Sequence, residues 1–129
     1  MKTIIASLVF AFASVIAIAQ SETKNEIATA IKEGNSIQLA EHFMPSVDLT
    51  VGSAEDVYSK DQAEMILKRF FEDHEAVDFK LKHEGKSKLD DFYYIGTLKT
   101  NKGEFRLTYF LKKSEDIFMI KQFRIEENP

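Results

Sequence analysis

The chain has 129 residues, of which 44% are hydrophobic and 29% charged, and its formal net charge is −4. It contains no cysteine, which excludes disulfide bonds, thiolate metal sites and a cysteine nucleophile. The acidic balance argues against binding to nucleic acid, because such binding depends on neutralising phosphates with basic side chains. One domain is the expected number for a chain of this length.

The first nineteen residues have the pattern of a cleavable export signal. Lys2 supplies a positive charge, residues 4–19 form an uncharged apolar run, and Ala17 and Ala19 place small side chains before the cleavage point. The run is shorter than the about 20 residues that span a membrane; the alternative is an uncleaved N-terminal anchor. We expect cleavage after about Ala19, which leaves residues 20–129 as one secreted domain, periplasmic or extracellular and free of the membrane.

Two helices are predicted at the start of this domain. Thr23 and Glu26 have the spacing of a capping box, which predicts a helix start, and Gly34 suits the left-handed residue after a helix end. A second, short helix is predicted from Asn35 or Ser36, with Pro45 ending it. The apolar residues of this second helix are Ile37, Leu39, Ala40 and Phe43.

The spacing of apolar residues then changes from helical to alternating. Val47, Leu49 and Val51 alternate with polar residues, which predicts a half-buried strand, and residues 55–58 follow as a short returning strand. A third helix begins with a second capping box, Ser59 with Gln62. Its apolar stripe comprises Ala63, Ile66, Leu67, Phe70 and Phe71.

Everything after Asp78 is predicted to be β structure. Four strands are expected at about residues 79–84, 92–100, 104–112 and 117–125. Their short connections favour antiparallel neighbours, and therefore a four-strand meander.

This order of elements resembles the nuclear transport factor 2-like (cystatin-like) α+β fold. In that fold a curved antiparallel sheet, here a four-strand meander plus a short N-terminal hairpin, wraps about three helices as a cone. Two segments carry a closer resemblance: Leu39-Ala40-Glu41-His42-Phe43 followed by Val47-Asp48-Leu49, and the closing Ile120-Lys121-Gln122-Phe123-Arg124-Ile125. They are similar to an uncharacterised family of small secreted bacterial proteins, a domain of unknown function. The resemblance implies no catalytic residues.

The open end of such a cone is the expected place for an apolar pocket. The candidates to line it are Ile66, Phe70, Leu81, His83, Tyr94, Tyr109 and Lys121. His83 shares the alternation of Phe79 and Leu81, so it is predicted to face the pocket; the alternative is a histidine held by a structural hydrogen bond. Lys121 or Arg124 facing the pocket would suit an anionic ligand, and the alternative is a lysine that reaches solvent at a sheet edge.

The sequence offers little for catalysis. Asp48, Asp78 and Glu84 share the polar phase of their strands and are predicted to point outward, unless a bulge reverses the phase. His42 and His74 are explained by positions at helix ends. The spacing of the histidines matches no metal-ligand motif, so we expect neither a metal nor a cofactor.

Apolar residues on both faces of the last two strands predict a homodimer that packs through the sheet. Phe110 lies on the face of its strand opposite the other apolar residues. In the last strand Phe118 and Ile120 lie on one face, and the other apolar residues lie on the opposite face. Those others are Ile117, Met119, Phe123 and Ile125. The alternative is a scatter of exposed apolar residues, as on many monomers.

Together these patterns predict a non-catalytic module for ligand binding or protein interaction, with a small apolar or anionic ligand in the pocket. The first alternative is a small acid–base enzyme of the isomerase or dehydratase type that uses the same pocket. The second is a structural homodimer whose cone is filled.

Overall fold

The computed structural model describes the backbone of residues 2–128 and the side chains of residues 15–128. The elements follow in the order α1 (Lys2–Glu33), α2 (Ser36–Glu41), β1 (Phe43–Val51), β2 (Ala54–Ser59), α3 (Lys60–Asp73), β3 (Ala76–Lys86), β4 (Phe92–Thr100), β5 (Gly103–Ser114) and β6 (Ile117–Glu127). Met1 and the side chains of residues 2–14, which hold the positive charge and most of the apolar run of the predicted export signal, lie outside the described residues. Among the residues that are described, no helix is long and apolar enough to cross a membrane.

Helix α1 is one continuous helix that passes through the predicted cleavage point. The predicted helix start at Thr23 is wrong: the Thr23 hydroxyl donates to the carbonyl oxygen of Ala19 (3.0 Å), one turn earlier, as an interior residue does. The predicted end is confirmed. Gly34 has φ +64, and the N–H groups of Gly34 and Asn35 donate to carbonyls of the last turn at 3.0 and 2.8 Å, which is a Schellman motif.

Helix α2 ends earlier than the sequence predicts. Asn35 caps its start, where the side chain accepts a backbone N–H bond of 3.1 Å, and His42 caps its end. Phe43 already belongs to β1, so Pro45 lies inside a strand and does not end the helix. Pro45 falls where the pairing of β1 with β6 shifts register, a position that tolerates the missing N–H.

The six strands form one curved, unclosed sheet in the order β2-β1-β6-β5-β4-β3. The predicted meander (β3 to β6) and the predicted N-terminal hairpin (β1 and β2) are both present and antiparallel. The sheet as a whole is mixed rather than antiparallel, because β1 and β6 pair in parallel where the hairpin joins the meander. This join gives the sheet its full width, against which the helices pack.

Helix α3 begins as predicted. The Ser59 hydroxyl accepts from the backbone of Gln62 at 3.2 Å, and the Gln62 side chain accepts from the backbone of Ser59 at 3.1 Å. The face of α3 that packs on the sheet carries Ala63, Leu67, Phe70 and Phe71. The largest fully buried side chains of the core are Tyr94, Tyr109, Phe43 and Phe123. The interior of the cone is therefore filled by the protein itself.

A β-bulge in the last strand corrects the predicted distribution of apolar residues. The pairing of β5 with β6 shifts register at Lys121, which is the extra residue on its strand. The phase reverses there, so that Phe118 and Ile120 before the bulge and Phe123 and Ile125 after it all face the core. Strand β6 therefore has one buried apolar face rather than two, and the alternation of buried residues changes phase at Lys121.

Candidate functional site

A second bulge, in the edge strand β3, decides which side chains meet at the open end of the cone. Leu81 pairs with Gly96 and His83 pairs with Ile95, so Lys82 is the extra residue. Beyond it the phase is reversed: His83, predicted to face the pocket, is exposed on the outer side. Glu84, predicted to point outward, instead pairs with Tyr94 on the concave face.

Polar groups from α1 meet these strand residues. The Gln20 side-chain amide donates to the Tyr94 hydroxyl at 2.8 Å, and Lys24 Nζ lies 2.8 Å from Glu84 Oε2. A hollow of about 400 Å³ lies beside these four side chains and is also lined by Phe92. Four polar side chains therefore converge at the rim of an otherwise apolar core.

The two tyrosines connect this rim to the interior. The rings of Tyr94 and Tyr109 stack with centroids 4.8 Å apart. Burial raises the pKa of Tyr94, with a further increase from the Glu84 carboxylate and an opposing effect of the Gln20 hydrogen bond. Burial also raises the pKa of Tyr109, the deeper of the two. Both hydroxyls therefore stay protonated at neutral pH and can donate as well as accept hydrogen bonds.

We call this end of the cone the mouth. Its residues on the sheet are Phe92, Tyr94, Phe118 and Glu84, and its residues on α1 are Gln20 and Lys24. Phe92 and Phe118 pack edge to face with centroids 5.8 Å apart. Helix α1 lies over them, with Ile16 and Ala19 partly buried against the core. The mouth is thus covered by residues that come before the predicted cleavage point.

Comparisons with known proteins place this architecture in a family. Residues 24–126 match the family described as domain of unknown function DUF4783. The chain belongs to this family. The comparison with curated proteins gives no match.

Solved structures agree. A DUF4783 protein from Bacteroides ovatus ATCC 8483 is 31% identical with TM-score 0.75, covering 81% of this chain and 94% of its own. A second, from Bacteroides fragilis YCH46, is 32% identical with TM-score 0.74, covering 80% and 96%. A structure described as Rd1NTF2_05 with five substitutions is 15% identical with TM-score 0.65, covers 82% of this chain and 95% of its own, and shows the fold. The predicted resemblance to an uncharacterised nuclear transport factor 2-like family is confirmed.

The predicted pocket residues of this DUF4783 domain are spread over both ends of the cone. Tyr94 and Tyr109 lie at and below the mouth, and Ile66 and Leu81 are half-buried against the core. Phe70 stacks on His74 (4.4 Å) and meets Phe105 (5.3 Å). Phe105 pairs with Leu98, at the opposite end of β4 from Phe92, so this aromatic group is not part of the mouth.

Lys121 and Arg124 are both occupied by neighbouring carboxylates. Lys121, at the bulge of β6, forms an ion pair with Asp91, whose side chain is 6% exposed. Arg124 Nε lies 3.4 Å from Glu126. The positive charge that the sequence suggested for an anionic ligand is used within the fold.

Two histidines lie at helix ends, and a further hollow lies at the outer edge of β3. His42 and His74 lie at the ends of α2 and α3, as predicted, and burial lowers the pKa of His42. Among side chains 15–128, no group of three potential ligands converges as a metal site. A hollow of about 550 Å³ at the outer edge of β3 is larger than that of the mouth, but lysines and acidic residues dominate its lining. Lysines on an edge strand commonly serve to prevent pairing with another sheet.

Sequence patterns missed Gln20, Lys24, Glu84, Phe92 and Phe118 as residues of the mouth. For the α1 residues a signal existed: residues 16, 20, 24 and 27 follow the helical spacing of a continuous α1, which the predicted helix start at Thr23 concealed. For Glu84 no pattern was available, because a bulge leaves the local composition of a strand unchanged.

Proposed function

We propose that this DUF4783 domain is an exported, non-catalytic binding module whose site is the mouth of the cone. The observation that carries this proposal is the convergence of Gln20, Lys24, Glu84 and the Tyr94 hydroxyl beside the aromatic wall of Phe92. A few placed polar groups at the edge of an apolar cleft are typical of sites for small ligands. The ligand we expect has an apolar body, which packs on the aromatic rings, and one polar group.

Binding is favoured over acid–base catalysis by the surroundings of Glu84. An acid or base in this fold would need a carboxylate shielded from water, so that its proton affinity suits the reaction. The Glu84 side chain is 50% exposed and paired with Lys24. The other concave-face groups, the tyrosines, have raised pKa values and hold their protons.

Export would open the site. Cleavage after Ala19 would remove Ile16 and Ala19 from the mouth and uncover the apolar surface that they contact. In support of this, the family match begins at residue 24, and the two solved relatives cover 81% and 80% of this chain. Residues 20–129 are therefore the form in which the mouth is accessible.

The test compares the full chain with residues 20–129, using an apolar dye that fluoresces when shielded from water. We expect the shorter chain to bind the dye and the full chain to bind it several-fold more weakly. Phe92→Ala should reduce binding to the shorter chain, because it removes one wall of the mouth. Phe105→Ala is the matched control: it removes another half-buried ring, at the far end of the cone, and should leave binding unchanged.

Equal dye binding by the two chain lengths, or equal loss in the two phenylalanine variants, would contradict the assignment of the site to the mouth. The export part of the proposal is tested separately by the intact mass of the protein recovered from the periplasm or the medium. A mass that still includes residues 1–19 would overturn it.

A homodimer through the sheet remains our proposal for the oligomeric state. After the bulge in β6 is taken into account, its support is the outer face around Tyr93, Phe110 and Val57: Tyr93 and Phe110 pack at 6.2 Å, and Val57 is 63% exposed. Sedimentation at high protein concentration should give the mass of a dimer, and Phe110→Glu should give a monomer. A monomer mass for the unmodified chain would overturn this proposal.

A further inference from the structure

A second hollow adjoins the mouth and differs from the first in charge. It has a volume of about 330 Å³ and shares Phe92 and Lys86 with the hollow beside Tyr94. Its apolar lining includes Phe92, Phe118 and the side chain of Ile16. In the full chain a branched aliphatic side chain of α1 therefore forms one wall of this second hollow.

Lysines surround this aliphatic position. Lys86, Lys112 and Lys113 line the same hollow, and Lys113 pairs in register with Phe118, so that both side chains leave the same face of the sheet. Lys86 Nζ lies 5.8 Å from the centre of the Phe92 ring, at the edge of the mouth.

The nearby acids neutralise only part of this charge. Asp91 is nearly buried and is paired with Lys121, while Asp90 lies 3.5 Å from Lys86 in an exposed pair. Within the described residues, neither Lys112 nor Lys113 forms an ion pair. Four lysines thus stand against two aspartates here, on a chain whose net charge is −4.

We propose that the mouth takes an anionic amphiphile: an aliphatic chain that lies where Ile16 lies in the full chain, with a carboxylate or phosphate head beside Lys113, on the same face of the sheet as Phe118. This proposal rests on the proposed function, because it names the ligand class of the same site. The aliphatic position has aromatic surface on the sheet side. The head group would stay at the water-exposed rim, where its charge is attracted without being buried.

The test uses ligands with one chain and different heads, added to residues 20–129 below their micelle concentrations: dodecanoate, dodecyl phosphate, and the cation dodecyltrimethylammonium. Displacement of the apolar dye reports binding. We expect both anions to bind more tightly than the cation, by about three- to tenfold, the effect of one or two exposed ion pairs. The order of the two anions identifies whether a carboxylate or a phosphate is preferred, and the difference between anions and cation should shrink as salt is added.

The matched variants locate the head group. Lys113→Gln should remove the preference for anions, while Lys80→Gln on the outer edge, also an exposed strand lysine, should leave it unchanged. If the dye binds but the anions and the cation displace it equally well, the anionic class of ligand is wrong, while the proposed binding module stands. Absence of dye binding to residues 20–129 would overturn the proposed function itself.

Discussion

The interior and the mouth of the cone are built from the same strands but differ in what the side chains contact. In the interior, Tyr109, Phe123 and Leu107 are at most 1% exposed and belong to the cluster of buried core residues. At the mouth, Phe92 is half-buried, and Tyr94 and Glu84 have their polar partners on the single helix α1. The interior is therefore fixed by many neighbours, whereas the mouth depends on contacts with the N-terminal part of one helix. Changes in stability and changes in binding should separate along this division.

The largest effect is expected from truncation in the interior. Phe123 packs against Phe43 (5.8 Å) and Tyr109 (6.3 Å) and is fully buried. Phe123→Ala should lower the free energy of unfolding by about 3–5 kcal/mol, measured by urea denaturation. Ile117→Ala on the same strand is the control: this side chain is 61% exposed, and its loss should cost less than about 0.5 kcal/mol. Similar costs for the two variants would contradict the assigned phase of β6.

A smaller effect is expected at Gly96 of β4, where the absence of a side chain makes room for the neighbouring strand β3. A Cβ at Gly96 would lie 2.5 Å from the carbonyl oxygen of Lys80 and 2.7 Å from the Phe79 ring, and the backbone atom cannot move aside. Gly96→Ala should therefore cost about 1–3 kcal/mol. A Cβ at Gly85, near the mouth, would also meet an atom at 2.5 Å, but this atom is the hydroxyl of Tyr93, at the free end of a side chain. Gly85→Ala should cost clearly less, and thermal unfolding of the two variants side by side gives the ranking.

Much of this fold was predictable because its local signals and its packing agree. Ser59 with Gln62 and the stripe of α3 specify a helix start and a buried face together, and the loop at Gly103 joins two strands that pair without a shift of register. The errors occurred where one local signal was ambiguous. Thr23 has the spacing of a helix cap but lies inside a longer helix, and Pro45 ends no helix because α2 has already ended at Glu41.

The site was less predictable than the fold, for a physical reason. The side chains at the mouth are set by two extra residues, Lys82 and Lys121, that reverse the phase of β3 and β6. Alternation assigns His83 to the pocket and Glu84 to the outside, and one inserted residue exchanges them. A bulge is determined by the pairing of strands that are distant in sequence, so a pattern within one strand does not reveal it.

Alkaline pH should distinguish the two regions without any ligand. Burial raises the pKa of Tyr109 and of Tyr94 above the ordinary value of 10.0, so the folded protein binds these protons more tightly than the unfolded chain. The contribution of these two protons to the free energy of unfolding should therefore be fully present below pH 10 and should fall as the pH rises above it. Tyr109→Phe should flatten this fall in urea denaturation at a series of pH values. Phe123→Leu, which lowers stability without removing a hydroxyl, should keep the original slope; a flattened slope there would contradict the assignment.

Tyr94 belongs to both regions, and its hydroxyl tests the boundary between them. Tyr94→Phe keeps the ring that stacks on Tyr109 and removes the group that accepts from Gln20, at an expected cost of about 0.5–1.5 kcal/mol in the full chain. In residues 20–129 Gln20 is the terminal residue of a fraying helix, so the same substitution should cost less. Phe123→Ala, by contrast, should cost the same in both chain lengths. If Tyr94→Phe is equally costly in both, the hydroxyl is held by the interior, and the mouth does not depend on residues 1–19.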